Sequence, residues 1–269
     1  MAVKKRRKKA RKKVRVTPKI SLIIIAGCIL VAGAAILFNN RDMRKADATA
    51  SDSSLPGPEV PAGNFDFGID ISHHNKDDIK WDELKVMTDK KGRTTKSIKN
   101  AKEITPVSFV IMKATEGLTF QDSKFDKWWE ETDESDLRRG AYHFFRTSKD
   151  PVGQAEHYIK IVGRLKKTDL PPILDLETIH RGCSKATLNK NAALWLETVR
   201  KYYDRKPVIY TSRSFVENIL EDSLKDKYHI WISDYFHPEP TIRKWYIWQF
   251  TDNALVYGVP GKVDLNVMR

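Results

Sequence analysis

Cysteine is nearly absent from this chain of 269 residues: Cys28 and Cys183 are the only two, and they stand far apart. A disulfide framework is therefore excluded, and no CxxC spacing offers a zinc site. There is no HExxH pattern either; His73 and His74 are adjacent, not spaced along one helix face, so no metal and no cofactor are expected. No internal repeat is present, which excludes solenoids and propellers. Acidic residues are missing between Lys4 and Lys19, where eleven Lys or Arg occur, and charge of either sign is missing from Ile20 to Phe38.

The last two absences belong together. The net charge of +13 is concentrated in the first nineteen residues, and the remainder is nearly neutral. An apolar run over 20–38 is about as long, at ~1.5 Å per residue, as a bilayer core is thick. A basic flank before such a run favours a cytoplasmic N-terminus and an extracytoplasmic remainder. The expectation is a single-pass membrane protein: basic cytoplasmic tail 1–19, transmembrane signal-anchor helix 20–38. "IAGC" at 25–28 is similar to a lipoprotein box with Cys28 as the lipidated residue, but the ten residues that follow stay apolar, which favours an uncleaved anchor. Topology accounts for the basic tail, so nucleic acid is not an expected partner.

Residues 39–64, "NNRDMRKADATASDSSLPGPEVPAGN", are polar and rich in Ser, Ala, Pro and Gly, the composition of a flexible linker. A folded domain is expected over 65–269. Within it, uniform apolar runs at 67–71, 108–113, 140–145, 172–176, 207–210, 229–232, 246–250 and 263–265 predict strands buried on both faces. Helices are predicted at 123–134, 151–165, 184–203 and 214–220, with a short one at 81–87; Ser184 is placed to cap one helix and Pro151 to begin another. Strand–helix alternation with about eight strands implies an α/β fold, a (β/α)-type barrel in which the late strands have little helix between them. The basic stretch 89–105 reads as a solvated surface insertion.

In such barrels chemistry sits at the C-terminal ends of strands. Polar and aromatic residues at those ends are Asp70; Lys113 and Glu116; Tyr142, His143 and Phe144; Asp175 and Glu177; Tyr210; Trp231 and Asp234; Trp248 and Gln249; and Asp264. Rings that cover apolar sugar faces, beside acids and amides that take hydroxyls, make a surface suited to a glycan. "PPILDLET" places Asp175 and Glu177 two apart, hence on one face of a strand, where like charges raise each other's pKa.

These segments carry a resemblance. "FGIDISHHN", "FVIMKATEG", "RGAYHFFR", "PPILDLE", "PVIYTS", "IWISDY", "WQFTD" and "VDLN" occur in the order seen in glycoside hydrolase family 25, the lysozymes (N-acetylmuramidases) of the Chalaropsis type. The resemblance spans essentially all of 65–269. It implies an irregular, flattened TIM-like barrel with fewer helices than strands, and a hydrolase cutting the β-1,4 bond between N-acetylmuramic acid and N-acetylglucosamine in peptidoglycan. It implies Glu177 as general acid, tuned by Asp175, with Asp70 and Asp264 completing the catalytic carboxylates. Tyr142, His143, Phe144, Tyr210, Trp231, Asp234, Trp248, Gln249, Lys113 and Glu116 are the expected substrate contacts, and a monomeric catalytic domain is expected to act in wall remodelling or catabolism. Substrate assistance by the 2-acetamido group and direct attack by water both stay open. Two other readings also remain: a wall-binding module without turnover, and another barrel glycosidase acting on N-acetylglucosamine polymers.

Overall fold

A computed structural model describes residues 57–269 apart from Arg243. The basic tail, the run at 20–38, Cys28 and most of the linker lie outside the described residues. Among the described residues no helix is long and apolar enough to cross a membrane.

The described residues form ten strands: β1 (Asp66–Ile71), β2 (Lys85–Thr88), β3 (Glu103–Glu116), β4 (Phe120–Gln121), β5 (Arg138–Phe144), β6 (Ile173–Asp175), β7 (Val208–Ser212), β8 (His229–Ser233), β9 (Trp245–Ala254) and β10 (Val263–Met268). Eight of them close a barrel in the order β1-β10-β9-β8-β7-β6-β5-β3, with β3 returning to pair with β1. Seven run parallel; β10 alone is antiparallel to both of its neighbours. Strands β2 and β4 hang on β3 as antiparallel additions.

Among the described residues five α-helices accompany these strands: α1 (Phe125–Glu131), α2 (Pro151–Val162), α3 (Lys185–Tyr203), α4 (Arg213–Asn218) and α5 (Asp222–Lys227). Helix α2 starts where the Asp150 carboxylate accepts from the Val152 and Gly153 N–H groups, with Pro151 in the first turn, and it stops at Gly163, φ 65°. The Ser184 hydroxyl accepts from Thr187 N at 3.1 Å and caps α3.

Two apolar layers follow from strand alternation. Phe109, Ile111, Ile173, Val208, Trp231 and Ile247 fill the barrel interior. Their sequence neighbours Val110, Met112, Leu174, Ile209, Ile230, Ile232 and Trp248 face outward, into the larger cluster that includes Tyr158 and Trp195 of the helices. Each fully buried large side chain contributes about 1.5–3 kcal/mol. Gly68 is required by the inner layer, because a Cβ there would collide with the Phe109 ring.

Two expectations are corrected. The segment 81–87 is one 3-10 turn at Trp81–Glu83 followed by β2, whose Val86 and Met87 are buried and pair with Thr105 and Ile104. The stretch 89–105 is not wholly solvated. Thr94 is buried, with its hydroxyl accepting from Leu255 N, the Lys96 ammonium is held by the Val259 and Gly261 carbonyls, and residues 103–105 belong to β3.

Candidate active site

The parallel strands end at one mouth, and inward-facing residues of seven strands, β10 among them, meet there. Asp70, Tyr142, Asp175, Glu177, Tyr210, Trp231, Gln249 and Asp264, together with Tyr235 and Asp252, line a cavity of about 210 Å³. Register explains the convergence: Asp70 of β1 is paired with Asp264 of β10, and Asp175 of β6 with Tyr210 of β7.

Asp70 is the best-held member. Its Oδ2 accepts from Gln249 Nε2 at 2.8 Å and from Asn266 Nδ2 at 2.7 Å. Both amides are themselves oriented. The Tyr210 and Tyr235 hydroxyls donate to Gln249 Oε1 at 2.8 and 2.5 Å, and Trp231 Nε1 donates to Asn266 Oδ1 at 2.8 Å. With each carbonyl oxygen occupied by a donor, each NH2 is left to face the same carboxylate oxygen, and hydrogen bonds of that kind favour the ionised form.

Burial opposes ionisation throughout the cavity. It raises Asp70 to about 6 despite the two amides. Asp264 lacks such support; burial, then the charge of Asp70, push it up to about 9. The pair thus behaves as a dyad in which Asp70 is ionised first and Asp264 holds the shared proton. Asp175 is raised well above the carboxylate range by burial and then by the charge of Glu177, with Lys113 acting against both, and its Oδ1 is buried with no hydrogen-bond partner. Glu177 is the most open of the four. Its pKa is also raised, first by desolvation where it faces the cavity and then by the charge of Asp70.

Alternation separates the other candidates. His143 does not face the mouth and is corrected as a substrate contact: it is 0% exposed, bonded to Thr115 and Gln154, and stacked on Trp195. Burial pushes it down to about 3, a neutral wedge between β5 and the helices. Trp248 is corrected likewise. It points outward against Trp245 and Phe250 and donates to the Asp234 carbonyl. Trp231 is on the inner face, as the floor of the cavity, but only 2% exposed. Asp234 is buried beside the cavity; its carboxylate accepts from Phe236 N and pairs with His237 at 2.7 Å, which fixes the loop that presents Tyr235. Lys113, Glu116 and Phe144 form a neighbouring rim: Lys113 meets Glu116 at 2.7 Å and lies over the Phe144 ring, and Arg146 binds Glu116 from the other side.

Three residues of the site are absent from the sequence reading. Asn266 lies two positions after Asp264 and so on the same face, a parity signal that was available. Tyr235 reaches the cavity from a loop. Asp252 reaches it because the β9–β10 register shifts between Leu265 and Asn266, which resets the alternation of β9 past Gln249.

Residues 69–259 match the family model described as Glycosyl hydrolases family 25. YegX of Escherichia coli K12, an uncharacterized protein, is 32% identical over 211 residues, covering 77% of this chain and 71% of that one. The autolytic lysozyme of Clostridium acetobutylicum is 30% identical over 174 residues, covering 62% of this chain and 50% of that protein. Among solved structures, a family 25 glycosyl hydrolase from Bacillus anthracis superposes with a TM-score of 0.63 at 25% identity, covering 81% of this chain and 94% of that one.

Proposed function

The chain belongs to glycosyl hydrolases family 25, and from that premise we propose that it cleaves the β-1,4 bond between N-acetylmuramic acid and N-acetylglucosamine in peptidoglycan. It is a glycoside hydrolase of the lysozyme kind. The observation that carries the reading is a single cavity holding Asp70, Asp175, Glu177 and Asp264 with aromatic walls.

Glycoside cleavage needs a proton on the leaving oxygen and negative charge near the developing oxocarbenium ion. Glu177, the carboxyl open to an incoming strand and raised in pKa, is assigned the proton: it passes to the glycosidic oxygen as the bond to the anomeric carbon breaks. Asp70, fixed by two amides, is assigned the negative charge that faces the cationic centre. Asp264 keeps its own proton and so spares Asp70 a second adjacent charge. Desolvation and the charge of Asp70 disfavour early loss of the Glu177 proton, and the unpartnered Oδ1 of Asp175, buried beside it, is available to a polar group of the substrate. Lys113 with Glu116 and Phe144 would border the strand beyond the cavity.

The activity is assigned to wall remodelling, with residues 20–38 as the membrane anchor, residues 39–64 as linker and the catalytic domain on the extracytoplasmic side. The expected product of digesting purified peptidoglycan carries muramic acid at each new reducing end, as read by mass spectrometry. N-acetylglucosamine at those ends would overturn the bond assignment, and release of no reducing sugar would leave only a wall-binding role.

A further inference from the structure

The insertion between β2 and β3 is not used by the active site and differs in character from the rest of the domain. Residues 89–105 carry six Lys or Arg against two acids. Arg93 is paired with Asp89, and Lys96 is tied to the carbonyls of Val259 and Gly261. Lys90, Lys91, Lys99 and Lys102 are exposed, and among the described residues none of them makes an ion pair. Two aliphatic side chains stand open to water here: Ile98, 68% exposed among these lysines, and Ile104, 56% exposed at the start of β3. Lysines interleaved with exposed aliphatic groups suit an interface that is anionic at its surface and apolar just beneath, as a bilayer of acidic lipids is. A soluble polyanion would match the lysines and leave the isoleucines in water.

The location of the insertion agrees. The described chain enters the domain at this patch: Gly57 N donates to Thr94 O, Thr94 N to Pro58 O and Val60 N to Gly92 O, so residues 57–60 are laid along the insertion. Eighteen residues separate position 38 from Gly57; a chain of that length reaches about 65 Å fully extended and about 25 Å on average as a coil. The insertion also joins the start of β3, whereas Lys113 at the cavity rim lies ten residues further along the same strand, roughly 33 Å away.

We propose that this face docks on the anionic surface of the membrane, so that the catalytic mouth is held away from the bilayer and toward the wall. The proposal rests on the reading of residues 20–38 as an anchor. The test uses the full chain reconstituted in vesicles of phosphatidylcholine alone or mixed with phosphatidylglycerol, with a bimane on Ile98→Cys in a Cys28→Ala, Cys183→Ser background. Quenching by a nitroxide on the lipid headgroup is expected to be at least threefold greater in the acidic vesicles. It should vanish in high salt and in the fourfold variant Lys90→Glu, Lys91→Glu, Lys99→Glu, Lys102→Glu, whose hydrolysis of soluble peptidoglycan fragments should be unchanged. Equal quenching in both vesicles would overturn the proposal. So would protection of the bimane by soluble poly(glycerol phosphate) but not by lipid, or release of the chain from vesicles by an alkaline wash, which would remove the anchor. Hydrolysis of the fragments reports on the muramidase assignment through a separate signal.

Discussion

The domain buries two clusters of charge and treats them in opposite ways. Arg139 is met by Asp169 at 3.0 and 3.2 Å, by Asp133 at 2.8 Å and by the Trp129 carbonyl at 2.7 Å, with its guanidinium over the Trp129 ring. Asp169 is further satisfied by the Lys166 N–H. At the mouth, Asp70, Asp175 and Asp264 sit without a contacting cation among the described residues; Lys113 is close enough to be felt but is already bound to Glu116. Burial is costly for any charge. Where the purpose is to hold strands together, partners offset that cost; where it is to hold a proton, the cost is left standing and appears as raised pKa values.

The contrast can be broken at either cluster. The largest effect is expected from Glu177→Gln, which should lower kcat about 10³-fold, the scale of removing a general acid, with circular dichroism and Tm unchanged; retained turnover would remove Glu177 from its role. Arg139→Met leaves Asp169 buried and unmatched and should cost about 3–5 kcal/mol of stability. Denaturant melts would measure that cost, while activity per folded molecule is retained.

A smaller effect sharpens the comparison inside the mouth. Asn266→Ala removes one donor from ionised Asp70, a bond to a charged group worth about 1.5–3 kcal/mol. The acidic limb of the pH–rate profile, expected near the Asp70 value of about 6, should move upward, and activity at pH 6 should fall roughly ten- to a hundredfold. A uniform loss at all pH values would mark Asn266 as merely structural.

The smallest effect is on stability. Asp264 is raised to about 9 in the folded protein, so between pH 4 and 9 the native state binds more protons than the unfolded chain. Stability from this group is therefore full below its unfolded value and falls as pH rises through that window. Asp264→Asn should flatten the fall and gain about 1 kcal/mol at pH 8, the usual size for relieving a functional site, while turnover drops.

Much of this was legible in the sequence. Uniform apolar runs located all eight barrel strands, because a strand covered on both faces needs no alternation to announce itself. The same uniformity hid which residues face inward. Collecting strand ends without regard to parity placed His143 beside Tyr142 and Trp248 beside Gln249, although neighbours on a strand face opposite ways. Counting by two from Asp264 reaches Asn266; counting by two in β9 fails past Gln249, because a register shift intervenes. Strand β2 does not announce itself in the sequence, because four residues, Lys85–Thr88, are too few to show a period. The dyad's pKa ordering was not legible at all, since it depends on which way two amide groups are turned.

The antiparallel strand β10 has a consequence for biogenesis. Asp70 and Asn266 stand 196 residues apart, and the dyad exists only when β10 is seated between β1 and β9. During synthesis, the chain already carries Glu177 and Asp175 long before Asp264 and Asn266 have been made. A partly synthesised chain therefore has the proton donor but lacks the tuned anion. Closure of the barrel by its last strand therefore serves as an arming step, after which cutting can begin.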